Sequence, residues 1–175
     1  MNELLFFILG SLVGAFGYFL SNWHFAPVLA YRRLLEKAVS VTVFRINVIA
    51  NAPYSPQGYQ NEDTKNTALE LRQLASDIRG LNNILDRSFL ARRLCSVPSN
   101  MKLENAASCF IYLSNSLGSR SDDLAREHQL VEVYSRIAEI EELLKVHITE
   151  DAKGTAEKHR EVEEILRERR NRGNQ

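Results

Sequence analysis

The chain of 175 residues contains few of the residues that would mark a specialised class: two cysteines, four prolines and one tryptophan. Two cysteines cannot form the framework of a disulfide-rich secreted mini-protein. Its 22 basic residues balance its 22 acidic residues, which argues against a strongly basic nucleic-acid binder or an acidic disordered chain. The most informative absence is local, because no Asp, Glu, Lys or Arg occurs from position 4 to position 31.

Motifs for catalysis and metal binding are also missing. The sequence has no P-loop, no GxGxxG and no GxSxG, so no common phosphate cradle or nucleophile elbow is indicated. Paired ExxH and HExxH motifs for metals are absent as well. Cys95 and Cys109 stand alone and are expected to be thiols in a reducing compartment. We expect no cofactor, no metal and no enzymatic activity; an enzyme whose active site no motif marks is the minor alternative.

Within the uncharged stretch, residues 4–20 read LLFFILGSLVGAFGYFL, with thirteen hydrophobic residues, three glycines and one serine. Seventeen helical residues span about 26 Å, near the lower limit for the hydrocarbon core of a bilayer. A cleaved signal peptide would need a basic n-region and small residues at its cleavage site. The sequence instead has Glu3 before the run and Tyr18, Phe19 and Leu20 at its end. A transmembrane helix is therefore preferred over a signal peptide or a buried core helix.

The residues that flank this run predict its orientation and its contacts with lipid. Basic residues follow the run at Arg32, Arg33, Lys37 and Arg45, and cytoplasmic flanks are enriched in Lys and Arg. We expect the chain to cross the cell membrane once, with its C-terminal domain in the cytoplasm. Trp23 suits the membrane interface. The expected membrane-surface contacts are Trp23, Arg32, Arg33 and Lys37.

Small residues recur along one side of the predicted membrane helix, at Gly10, Gly14, Gly17 and Ser21. Their spacing of 4, 3 and 4 lines one helical face, and GxxxG pairs allow two membrane helices to approach closely. This face is the predicted membrane oligomerisation face. The alternative is that glycine is simply common in membrane helices.

Beyond the anchor, hydrophobic spacing predicts an all-α fold in which a small antiparallel helical bundle follows the single transmembrane helix. Apolar residues spaced 3, 4, 3, 4 indicate helices, and short connections favour antiparallel neighbours. Residues 39–50 are rich in β-branched side chains, so helix and strand both stay open there, with helix preferred. The predicted bundle core comprises Leu71, Leu74, Ile78, Leu81, Leu85, Phe110, Leu113, Leu130, Val133, Ile137, Ile140 and Leu144.

The predicted organisation has five parts. These are an anchor at 1–27, a membrane-proximal helix at 28–51, a loop at 52–63, the bundle at 64–149 and a charged, partly disordered tail at 150–175. Acidic residues predominate at 122–150, while 87–103 contains basic residues and no acid. These charges either neutralise one another within the fold or form surfaces on which partners dock.

The leading functional hypothesis is a membrane-anchored helical scaffold or interaction protein. Its expected partners are the lipid bilayer, further copies of the chain and a protein of unknown identity. Nucleic acid is not expected as a partner, because acids accompany the arginines at 167–172 and no aromatic residue is interleaved for base stacking. The alternative is a membrane-disrupting or channel-forming effector that oligomerises through the transmembrane helix.

Overall fold

The regular elements of the described chain are all helical. The computed structural model describes residues 2–54, 61–86, 93, 96–118 and 122–173, and within these residues there is no strand. The principal helices are α1 (Asn2–Leu20), α2 (Ala26–Asn51), α3 (Glu62–Leu85), α4 (Asn100–Asn115), α5 (Asp123–Leu144) and α6 (Ala152–Gly173). The all-α prediction is confirmed, and the helical alternative is correct for 39–50.

One continuous helical segment, Glu3–Tyr54, contains both α1 and α2. A π-helical turn, Ser21–Phe25, joins them, and the Ala26 amide donates to the Ser21 carbonyl. Pro27 occupies the first turn of α2. A proline in a helix lacks an N–H and crowds the carbonyl four residues earlier. The wider π turn accommodates the proline ring, so the apolar helix runs directly into the folded part of the chain.

The β-branched half of α2 is helical because it packs on α3. Ala38, Thr42 and Ile49 are buried, and they follow one another at helical spacing on one side. The Thr42 hydroxyl donates to the Ala38 carbonyl at 2.7 Å, so its buried polar group is satisfied within the helix. Tertiary packing therefore overrides the weak helix propensity of the β-branched residues.

Side-chain caps explain where three helices begin. The Asn61 side chain accepts from the Asp63 amide at 3.0 Å. Ser99 accepts from the Lys102 amide and Asp122 accepts from the Leu124 amide. Each side-chain oxygen satisfies an amide that has no partner inside its helix.

Helices that follow one another in sequence pack together in pairs, α2 with α3, α3 with α4, α4 with α5 and α5 with α6. A single buried cluster extends from Tyr31 on α2 to Ala152 on α6. All twelve residues of the predicted bundle core are buried. The regular leucine and isoleucine spacing therefore identifies the inward faces of α3, α4 and α5.

The C-terminal region differs from the tail expected at 150–175. Residues Ala152–Gly173 form α6, which lies along α5. Ala152, Ala156 and Glu163 are buried there, whereas the apolar Val162 and Ile165 are exposed. The contact depends on small residues and polar pairs. The spacing of large apolar residues in the sequence therefore does not predict it.

Candidate functional site

The apolar N-terminal helix is the most unusual surface of the molecule. Its large side chains, among them Phe6, Phe7 and Phe16, are largely exposed. In the described part of the chain, Glu3–Tyr54 alone is long and apolar enough to cross a membrane, and none of its most apolar window is buried. This window is therefore not a buried helix of the described fold. Exposed apolar surface of this extent is typical of a segment that contacts membrane or protein.

The small-residue face of α1 is open. Apart from its chain neighbours and the nearby backbone of its own helix, a β-carbon built on Gly10, Gly14 or Gly17 would have no heavy atom within 4 Å. Ser21, at the start of the π turn, is also exposed. Another helix is therefore able to approach this face without displacing any part of the described fold.

An aromatic pair marks the end of the apolar run. The rings of Phe19 and Trp23 lie 4.5 Å apart between centroids at an angle of 62°, an edge-to-face arrangement. Aromatic pairs favour this geometry because the positive ring edge meets the negative ring face. Trp23 is partly exposed and stands where an interfacial tryptophan is expected. The side chain of His24 lies outside the described residues.

The basic residues after the apolar run divide into two groups. Arg32 and Arg33 are exposed, as a contact with lipid headgroups requires. Lys37 instead pairs with Asp77 at 2.8 Å. Arg45 donates two hydrogen bonds of 2.8 Å to Glu70. The second pair of basic residues thus joins α2 to α3.

The Arg45–Glu70 pair is the best-formed ion pair between α2 and α3. Its two parallel hydrogen bonds match the planar guanidinium to the carboxylate. The bonds from Arg45 hold the pKa of the Glu70 carboxyl below its ordinary value. The sequence pattern assigned Arg45 to membrane orientation, whereas this contact gives it a structural role in the fold.

A polar cluster connects the far end of the long helical segment to α5 and α6. The Tyr54 hydroxyl donates to one oxygen of Glu127 at 3.1 Å. The other oxygen of Glu127 lies 2.7 Å from Nδ1 of His159. The His159 ring stacks on Tyr134, with centroids 5.6 Å apart and planes 11° apart. These contacts join α5 and α6 to the last turn before residue 55.

Acids of α5 are engaged mainly by bases within the fold. Asp122 pairs with Arg170 at 3.2 Å, and Glu142 lies 3.6 Å from Lys153. On the opposite helix, the buried Glu163 lies 3.3 Å from His128 and also pairs with Arg167. These pairs agree with the alternative in which the charges of neighbouring helices neutralise one another.

The remaining candidates are the two cysteines and clusters of side chains that could bind a metal. Cys109 is buried, and burial together with a hydrogen bond to Glu139 raises the pKa of its thiol to about 12. Such a thiol is a poor nucleophile because the thiolate is the reactive form. Cys95 lies outside the described residues. Among the residues that are described, no cluster of three or more His, Cys, Asp or Glu side chains is arranged to hold a metal ion.

The sequence signals found the apolar helix, its small-residue face and its basic flank. They missed the Glu127 cluster, because Tyr54, Glu127 and His159 lie far apart in the chain and share no motif. No family model, curated protein or solved structure matches this chain.

Proposed function

We propose that this chain is a single-pass membrane protein that holds a helical interaction scaffold at the cytoplasmic face of the cell membrane. The observation that carries the proposal is the continuity of Glu3–Tyr54. Its apolar half is exposed, and its second half is packed into the folded domain. One helical segment thus serves as both anchor and structural element.

The continuous helix connects the folded domain rigidly to the membrane segment. At a rise of 1.5 Å per residue, its 52 residues are about 78 Å long. The Arg45–Glu70 pair and the Tyr54–Glu127 hydrogen bond fix its second half to α3 and α5. A protein partner bound to the domain would be held at a defined distance from the bilayer, which a flexible linker would not achieve.

The order of the ion pairs supports an antiparallel bundle. Between α2 and α3, Lys37 meets Asp77 while Arg45 meets Glu70. Between α5 and α6, Glu127 meets His159 while Glu142 meets Lys153. In both pairs of helices the partners follow opposite orders along the chain, which is expected for neighbours that run in opposite directions.

Membrane anchoring is tested by extraction of isolated membranes at alkaline pH. The wild-type chain is expected to stay in the pellet. Leu12→Lys places a charge in the apolar helix and is expected to release the chain, because a charge in the hydrocarbon region is costly. Leu69→Lys is the matched control on α3, since both leucines are exposed to nearly the same degree. Retention of Leu12→Lys, or release of the wild-type chain, would contradict the anchor.

The cytoplasmic orientation has its own test. A protease is added to cells from which the layers outside the intact cell membrane have been removed, and it is expected to leave the domain undigested. After the cell membrane is permeabilised, the protease is expected to digest the domain. This follows from Arg32 and Arg33, which are exposed and directly follow the uncharged stretch at 4–31. Digestion of the domain in sealed cells would reverse the proposed topology.

Self-association through Gly10, Gly14, Gly17 and Ser21 is part of the proposal. A β-carbon at position 14 meets no other part of the described fold, so Gly14→Ile is expected to fill the open face. It is expected to lower crosslinking between copies, because close helix contact needs small residues. Ala15→Ile, on a neighbouring face of α1, is the control. Equal crosslinking in both variants would contradict this interface.

A membrane-disrupting or channel-forming effector is the second candidate, favoured by the same open glycine face. The effector would depolarise the membrane as its helices cluster. A potential-sensitive dye is therefore expected to report depolarisation that Gly14→Ile abolishes. A stable potential at high expression would favour the scaffold.

A further inference from the structure

Three exposed apolar side chains stand at helix ends. Leu29 is in the first turn of α2, Ile84 in the last turn of α3 and Met101 in the first turn of α4. Each is more than half exposed. Single exposed apolar residues are ordinary on protein surfaces. These three are informative because all of them stand at helix ends.

The contacts between helices place these ends at the same end of the domain. In α2 and α3, Arg45 meets Glu70 and Lys37 meets Asp77. Continuing this register toward the N-terminus of α2, at about 1.5 Å per residue in both helices, brings Ile84 to the first turns of α2. The buried Tyr31 and Leu85 belong to the same core cluster, as this register requires.

Met101 is held at this end by polar contacts between α3 and α4. The Asn82 side chain donates to the carbonyl of Asn100 at 3.3 Å, and the Asn100 side chain donates to Asp86 at 2.6 Å. The end of α3 and the start of α4 are thereby joined. Ile84 and Met101, from these two turns, accompany Leu29 at the end of the domain nearest the apolar helix.

The length of the uncharged stretch relates this end to the bilayer. Residues 4–31 would form a helix about 42 Å long. A bilayer with its headgroup layers is about 40–45 Å thick. Arg32 is the first charged residue after the stretch. A helix that spans the whole bilayer thus brings the first turns of α2 to the headgroup layer.

Charges at this end suit an anionic surface. Arg32, Arg33 and Lys102 are exposed. Acids are present too: Glu104 pairs with Arg79 and Asp86 accepts from Asn100. Glu36 is exposed as well. Among these residues, the exposed bases outnumber the exposed acids for which no polar contact is described. The bases lie beside apolar side chains, and this is the composition of a surface that contacts lipid headgroups.

We infer that this end of the domain is a second membrane contact. Leu29, Ile84 and Met101 enter the headgroup layer of the leaflet on the domain's side of the membrane, and Arg32, Arg33 and Lys102 contact lipid phosphates. The inference rests on the proposed membrane anchor, and it adds α3 and α4 to the helices that contact the membrane. With contacts from three helices, the domain is fixed in tilt and rotation, so one defined surface faces away from the membrane.

The test uses the full chain in vesicles of phosphatidylcholine and phosphatidylglycerol, part of whose lipids are brominated. A tryptophan probe replaces Met101 in the background Trp23→Phe, so that a single indole is observed. Quenching of this probe and a blue shift of its emission are expected. Vesicles of phosphatidylcholine alone are expected to quench it less, because they lack the anionic charge that holds the basic residues.

Leu69→Trp in the same background is the matched control. Leu69 is 61% exposed and Met101 is 71% exposed, so neither probe is expected to disturb the core. Leu69 lies fifteen residues from Ile84 along α3, about 22 Å farther from the proposed contact. Its probe is therefore expected to stay unquenched.

Flotation of the same samples separates the two levels of the proposal. If the chain floats with vesicles and the Met101→Trp probe is unquenched, the second contact is wrong while the anchor stands. Equal quenching of both probes would also overturn it, because the domain would then lie on its side. If the chain does not float, the anchor fails and the second contact fails with it.

Discussion

His159 on α6 and Glu127 on α5 are joined through Nδ1 and a carboxylate oxygen 2.7 Å apart. The other oxygen of Glu127 accepts from the Tyr54 hydroxyl. One side chain thus links the long N-terminal helical segment, α5 and α6. Because the Glu127 side chain is only 14% exposed, its partners would lose a shielded acceptor if it were removed.

Glu127→Ala is expected to loosen α6. Loss of a shielded charged acceptor costs about 1–3 kcal/mol. We expect faster amide hydrogen exchange across α6 and a lower midpoint of thermal unfolding, measured on the full chain in detergent. The exposed Glu157 provides the control Glu157→Ala, for which exchange is expected to stay near that of the wild type. Unchanged exchange in α6 of Glu127→Ala would show that the cluster does not hold this helix.

The position of α6 illustrates what the sequence could not predict. The sequence predicted a charged, partly disordered tail at 150–175, where Val162, Ile165 and Leu166 form only one apolar cluster. Glu163 is buried beside His128 and Arg167 instead. Contacts between polar side chains of two helices depend on how the helices are placed, and a periodic apolar pattern contains no information about that placement.

The buried apolar faces of α3 and α5 could be predicted for the opposite reason. Leucine and isoleucine at spacings of 3 and 4 must lie on one side of a helix, and that side is buried in both. The apolar helix was predictable from composition alone. Its relation to Ile84 and Met101 was not, because it depends on the register between α2, α3 and α4.

A matched pair of leucines on α3 tests the assignment of its buried face. Leu71 has 0% of its surface exposed and Leu69 has 61%. Leu71→Ala is expected to lower the free energy of unfolding by about 2–5 kcal/mol, because it removes buried methyl groups and leaves a cavity. Leu69→Ala is expected to change it by less than about 0.5 kcal/mol. Denaturant unfolding in detergent gives both values; similar losses would mean that the assigned face of α3 is wrong.

One carboxylate of α5 accepts hydrogen bonds from the connection between α5 and α6. The amides of Ile148 and Thr149 donate to one oxygen of Glu141 at 2.7 and 2.8 Å. Lys145 ends α5 in the left-handed conformation, with φ of 55°. Lys145 lies four residues after Glu141, but the described contacts of this carboxylate are with the turn.

Glu141→Ala is expected to destabilise this turn by about 1–3 kcal/mol, because two amides lose a charged acceptor. Hydrogen exchange at residues 146–152 is expected to accelerate first. Glu142→Ala is the control, since that neighbouring carboxylate is 75% exposed and lies 3.6 Å from Lys153. A larger effect in Glu142→Ala would indicate that the surface pair, and not the turn, holds the two helices together.

Cys109 predicts how stability changes at alkaline pH. Burial raises the pKa of its thiol to about 12 in the folded chain, while an unfolded cysteine titrates near 8.5. Between these values the unfolded chain releases a proton that the folded chain keeps. The stabilisation from the neutral thiol is therefore complete below about pH 8.5 and is lost as pH rises toward 12, by up to about 1.4 kcal/mol per pH unit.

Cys109→Ala and Cys109→Ser both remove the titrating thiol. Each variant is expected to lose less stability than the wild type between pH 9 and 11, whatever its stability at pH 7. Denaturant unfolding in detergent at several pH values gives the difference in slope. Other groups that titrate in this range, such as the half-buried Tyr134, are common to all three chains, so they cancel in the comparison. Parallel pH dependences for the three chains would mean that the thiol ionises equally in the folded and unfolded states, and that Cys109 is not shielded by the packing of α4 against α5.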